Sequence, residues 1–281
     1  MAAPNLTYCA EQVRRFDPDR YLTALFAPAA RRPSLFALYA FNLEIAKTAE
    51  VVSEAPLGLL RLQWWRDTLE AIGAGQALRH EVAEPLAEAV RRYGLDTALL
   101  GRLIDAREFD LERRAPEDLA ALEAYAEETS ACLVYLALQI LGVDAAPAWT
   151  AGRHAGIAGA LAGLLRAVRF HAAAKRRYLP RDLGEAAGLR IGDLFELRSS
   201  PALCQVAEQI SACAREHLRA ARALTGQVPK AARPALLGAT LADQALARLA
   251  RAGYDPFADR LRDPAPGRAW RLAWASLRGR Y

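Results

Sequence analysis

Four histidines (His80, His154, His171, His217) and four cysteines (Cys9, Cys132, Cys204, Cys213) are the side chains best suited to ligate a metal or attack a substrate. No H-x-x-x-H or C-x-x-C pair occurs among them. Each histidine is therefore expected to serve helix packing or the surface, and no metal is expected. The thiols read as the reduced, small apolar fillers of a cytosol-like protein, with Cys132, inside an apolar run, expected to be inert. The chain also has no G-x-S-x-G elbow, no phosphate-cradling glycine loop and no G-x-G-x-x-G. Ordinary catalytic signatures do not explain this chain.

The elements that must position any site are helices. Apolar residues recur at three- and four-residue steps through Leu35, Phe36, Leu38, Tyr39, Leu43 and Ile45, and again through Leu59, Leu62, Trp65 and Leu69. Strand-like alternation is almost absent, and alanine, leucine, arginine and glutamate dominate. Pro33 and Pro56 suit first turns, while Gly73-Ala74-Gly75, Gly94 and Gly142 suit helix ends. Pro116 precedes a long helix with acids in its first turn, and Pro147 restarts the chain. A helix over about 149–171 then runs into Arg176-Arg177-Tyr178-Leu179-Pro180, whose proline ends it. Two helices follow Pro201, separated near 226–229, and a short one carries Trp270 and Trp274. The expectation is one all-α domain, residues 1–281, of about ten helices.

Composition excludes several classes. The 281 residues are 53% hydrophobic and 25% charged, too apolar for a disordered chain. The longest uncharged stretches, 129–143 and 155–165, fall short of the roughly 18–20 apolar residues that span a bilayer. The first residues lack a basic start followed by an apolar core, and Glu11, Asp17 and Asp19 argue against a transit peptide. A cytoplasmic protein is expected, with peripheral contact at the inner face of the membrane. The net charge of +5 rests on 37 basic residues, of which only Lys47, Lys175 and Lys230 are lysines. The arginines are interleaved with acids, and no nucleic-acid motif accompanies them.

The order Tyr21-Leu22, Pro28, Arg31-Arg32, Leu38-Tyr39-Ala40-Phe41, Tyr125, Leu164-Leu165-Arg166, then Arg176-Arg177-Tyr178-Leu179-Pro180 with Asp182, resembles the squalene/phytoene synthase family over nearly the whole chain. The resemblance implies a terpenoid-synthase-like bundle around a central cavity, which joins two isoprenyl diphosphates head to head. In that family two acidic motifs hold the Mg²⁺ that neutralises the leaving pyrophosphate. The first motif falls here on Ala46-Lys47-Thr48-Ala49-Glu50, and only Glu50 is acidic. The second keeps Arg166 but reads Ala167, Arg169 and His171 around it, with no carboxylate. At about 4 Å and an effective dielectric near 20, Lys47 or Arg169 would each oppose a unit cation by about 4 kcal/mol.

A narrower resemblance fits these departures. The stretches 36–46, Val52-Ser53-Glu54 and 58–65, with Leu165-Arg166-Ala167 and Trp274 before Arg278-Gly279-Arg280-Tyr281, are similar to a subgroup with degenerate metal motifs, the phytoene-synthase-like assembly factors of respiratory complex I. This implies a non-catalytic protein, without a cofactor, whose partners are respiratory complex subunits or assembly intermediates. Two alternatives stay open. One is an isoprenyl diphosphate transferase, which would need Mg²⁺. The other is a binding protein for a prenyl or quinone-like lipid or a diphosphate, with Tyr39, Lys47, Tyr125, Arg166, Arg169, Arg176 and Tyr178 lining the cavity or holding the anion.

Overall fold

The computed structural model describes residues 7–76, 79–263 and 265–281. The expectation of no leader in the first residues lies, for Met1–Leu6, outside the described residues. Among the described residues there is no strand, and eleven α-helices have eight or more residues. In chain order they open with α1 (Tyr8–Phe16), α2 (Arg32–Ala46) and α3 (Ala55–Gly73). Next come α4 (Ala83–Tyr93), α5 (Thr97–Asp105), α6 (Leu119–Ala126) and α7 (Cys132–Leu141). The chain finishes with α8 (Ala146–Ala173), α9 (Pro201–Ala223), α10 (Gly238–Arg251) and α11 (Arg268–Leu277).

The boundaries follow the local chemistry. Pro33 and Pro56 lie in first turns, where the missing N–H costs nothing. Asp96, Asp118 and Ser200 cap the starts of α5, α6 and α9 through their side-chain oxygens. Gly94 and Gly142 close α4 and α7 in the left-handed conformation, with φ of 62° and 74°.

The longest helix, α8, is the hub. It packs on α9 and α10 and buries Ala151, Ile157, Ala158, Leu161 and Leu165. Against it lies a π-turn, Glu127–Ala131, that joins α6 to α7. The sequence predicts one long helix after Pro116. The structure instead inserts this turn, so the faces of α6 and α7 are rotated relative to an unbroken helix. Gly156 explains how the two segments approach: a Cβ there would lie 2.5 Å from Ala131 Cα. Of the tryptophan pair, Trp65 is buried edge-on to Phe41, at 5.0 Å between ring centroids, while Trp64 is half exposed.

Candidate functional site

A short helix after α5, Glu108–Leu111, buries Asp110 where three other segments meet. Tyr125 reaches it from α6 and Tyr178 from the irregular chain beyond α8. Both hydroxyls donate to the same oxygen, Asp110 Oδ1, at 2.7 Å each. Arg107 Nη1 lies 3.4 Å from Oδ2 and 3.1 Å from the Tyr125 hydroxyl, and Nη2 reaches Asn42 Oδ1 at 3.5 Å. Both carboxylate oxygens thus have protein donors. Burial, reinforced by the Asp110 charge, pushes both phenols far above their ordinary range, so they remain donors. Phe109 and the His171 ring pack around the pair, with His171 at 4.5 Å from Tyr178. Burial pushes His171 down to about 4 despite the pull of Asp110, which keeps the imidazole neutral at pH 7.

Beside this knot, Arg20 Nη1 pairs with Asp17 Oδ2 at 2.5 Å on the first turn of a short helix, Pro18–Ala24. Burial raises the Tyr39 hydroxyl to about 12, with Arg20 opposing. One polar atom of the region is unmatched: Arg107 Nε is buried without a partner.

The motif positions are occupied differently from a metal site. Ala46 ends α2, and Lys47 does not pair with Glu50; its Nζ sits 3.2 Å from the centroid of the Phe16 ring. Glu50 is exposed. On α8, Arg166 is turned outward and shares Asp19 with Arg268, at 2.8 and 2.5 Å. Burial works to raise the Asp19 carboxyl, but the two guanidiniums outweigh it and hold it below the usual range. Arg169 donates to the Phe257 carbonyl and covers that ring, beside the half-buried Ala167. Arg176 donates to the Ala49 carbonyl.

The family's Mg²⁺ does not fit this donor set. Magnesium needs several hard oxygens, whereas these positions offer one exposed carboxylate, one neutral imidazole and three cations. The expected anion clamp is dispersed as well. Tyr125, Tyr178, His171 and Arg176 come together, while Lys47, Arg166 and Arg169 are engaged elsewhere. The pocket lined by Leu122, Leu164, Val168, His171, Arg176 and Tyr178 leaves ≈ 10 Å³ to the centre of a water-sized sphere. That is room for about one water, against roughly 300 Å³ or more for a ligand pocket.

Sequence reasoning missed Arg107, Asp110, Asn42 and Asp19. The detectable signal was the i,i+3 pair Arg107–Asp110 flanking Phe109, which places opposite charges on one face of a helical turn.

Helix order and shape place the chain in the terpenoid-synthase-like class. It superposes on a dehydrosqualene synthase structure with a TM-score of 0.83 at 18% identity, covering 96% of this chain and 94% of that one. Squalene synthase HpnC from Alicyclobacillus acidocaldarius gives 0.78 at 22%, covering 88% and 94%. Residues 13–276 match the squalene/phytoene synthase family model, and the chain belongs to that family. Among curated relatives it is 35% identical over 250 residues to the human NADH dehydrogenase (ubiquinone) complex I, assembly factor 6, covering 89% of this chain and 75% of the relative. The presqualene diphosphate synthase of Rhodopseudomonas palustris is 26% identical, with 75% of each chain covered.

Proposed function

We propose that this protein assists the assembly of respiratory NADH dehydrogenase, complex I, and that it does so without transferring prenyl groups. The observation that carries this reading is the consumption of the site by its own side chains. Asp110 is spent on Tyr125, Tyr178 and Arg107, and Arg169 and Arg176 are spent on backbone carbonyls. Ionising an allylic diphosphate requires concentrated positive charge on the leaving group, and none of these groups is free to supply it. The similarity to complex I assembly factors supports the same reading.

The surface supports work on a partner at a membrane. Leu57, Leu60 and Trp64 form one exposed stripe on α3, suited to a protein partner. On α11, Trp270 and Leu277 are each 82% exposed and are flanked by Arg271 and Arg278, the composition of a helix that lies in a lipid headgroup layer. No described helix is long and apolar enough to cross a membrane. The inner face of the cytoplasmic membrane is the proposed place of action.

Deleting the gene in its own organism should lower the amount of assembled NADH dehydrogenase on native gels, and unchanged amounts would overturn the assembly reading. Incubation of the purified protein with farnesyl or geranylgeranyl diphosphate and Mg²⁺ should yield no head-to-head product. Metal-dependent turnover would restore the synthase alternative. The lipid-binding alternative would require the narrow pocket to open around an apolar chain, and a prenyl lipid co-purifying at one per protein would establish it.

A further inference from the structure

Three helices bring a second set of polar side chains together away from the Asp110 knot. Glu123 lies on α6, two residues before Tyr125, so the two side chains leave the helix about 200° apart. Facing Glu123 are Cys213 and His217, one turn apart on α9. Glu123 oxygen, Cys213 Sγ and His217 nitrogen all lie within 4.8 Å of one another. His217 Nε2 is 2.7 Å from Glu123 Oε1, and its Nδ1 is 2.8 Å from Nδ1 of His154 on α8. Arg153, next to His154 on α8, is committed to a bidentate pair with Glu127 at 2.8 and 2.6 Å.

We propose that Glu123, Cys213 and His217 form a binding site for Zn²⁺, with His154 as the outer partner that orients His217. The donor chemistry selects the ion. One thiolate, one imidazole and one carboxylate suit a borderline-soft, tetrahedral cation and not Mg²⁺ or Ca²⁺. Three protein ligands leave the fourth position to water. The cluster reaches solvent through Glu123, whose side chain is 35% exposed against 11% for His217.

The hydrogen-bond partners that a bound ion requires are already in place. In the metal-free protein His217 donates Nε2–H to Glu123 and accepts at Nδ1 from His154. On binding, Zn²⁺ takes the Nε2 lone pair. The proton displaced from His217 Nε2 is balanced by one that His154 takes from solvent at its own Nε2, and the shared proton moves from His154 to His217 Nδ1, which now donates to His154 Nδ1. That is the outer hydrogen bond by which metal-bound imidazoles are usually oriented. The thiol proton passes to solvent, and the net release is one proton per ion. The sequence reading expected His154 and His217 to serve packing or the surface, because the meeting of α6, α8 and α9 that joins them to Glu123 and Cys213 is tertiary.

Titration with Co²⁺ tests the site, because a cobalt–thiolate bond gives a near-ultraviolet charge-transfer band and a tetrahedral ion absorbs strongly in the visible. One Co²⁺ per chain should bind and be displaced by Zn²⁺. Cys213→Ser should abolish the charge-transfer band, whereas Cys204→Ser should leave it intact. Glu123→Gln, a near-isosteric change at the solvent edge, should weaken Zn²⁺ binding. His154→Phe should weaken it by roughly 10–100-fold while the band persists. Absence of stoichiometric binding at micromolar metal, or a band that survives Cys213→Ser, overturns the proposal.

Discussion

Tyr125 and Glu123 stand two residues apart on α6 and serve two polar clusters of opposite character. On the Tyr125 side, Asp110 meets two phenols and a guanidinium, all of which donate to it. Each carboxylate oxygen has a proton-bearing partner fixed to the protein, and the adjoining guanidinium opposes a second cation. On the Glu123 side, carboxylate, imidazoles and thiol each carry a lone pair and are joined only by shared protons. Such protons exchange for a metal ion. The lesson is that a buried polar cluster is read by what its members can accept, not by how many of them are acidic.

The contrast can be broken at its centre. Asp110→Ala should leave the Arg107 guanidinium and two phenols buried without their acceptor, at a cost of about 3–5 kcal/mol. Urea unfolding followed by circular dichroism would measure this, and a change under about 1 kcal/mol would mean that water reaches the knot. The same variant should leave Co²⁺ binding at Cys213 unaltered.

The second largest effect is a pH dependence at His171. Its folded pKa, near 4, lies below the ordinary histidine value of about 6.5, so the unfolded chain binds the extra proton first. Stability is fully present above pH 6.5 and falls as the pH drops toward 4, by up to about 3 kcal/mol. Urea midpoints measured across that window should show the slope, and His171→Phe should flatten it. A slope unchanged in that variant would move the effect to another group.

Tyr178→Phe removes one of the two donors to Asp110 Oδ1 but leaves Tyr125 and Arg107 in place, so a loss of about 1–2 kcal/mol is expected. Tyr125→Phe should cost the same or somewhat more, because it also strips a contact from Arg107. Equal, additive losses in the double variant would show that the hydroxyls act independently; coupling is expected, since both serve one oxygen.

The smallest effect should come from Asp19→Asn. Its partner Arg166 is 56% exposed, so water screens much of the attraction and a loss of about 1 kcal/mol or less is expected at pH 7. The Asp19 carboxyl is held below the usual range, so this contribution is present above about pH 4 and disappears as the pH falls further. Thermal melts at pH 7 and pH 3 would compare the two chains, and an equal difference at both would contradict the ion-pair origin.

Much of the helical frame was readable from residue types alone. Proline in first turns, glycine at left-handed ends and aspartate caps act within a few residues, so their effects survive without tertiary context. The π-turn at 127–131 was not readable, because it depends on how closely α8 approaches at Gly156. In the site, Tyr125, Tyr178, His171 and Arg176 were named and do converge. Lys47, Arg166 and Arg169 were named with them and are engaged elsewhere, because their partners, Phe16, Asp19 and Phe257, come from distant segments.

By itself the sequence determined the all-α architecture and the loss of carboxylates at the two motif positions, since both are properties of residue type and local period. Only the tertiary structure decided that Asp110 would meet tyrosines 15 and 68 residues away, and that His154 would meet His217 across 63. Those encounters depend on the rotation and depth at which helices pack. Side chains on different helices set that register, and no local pattern encodes it.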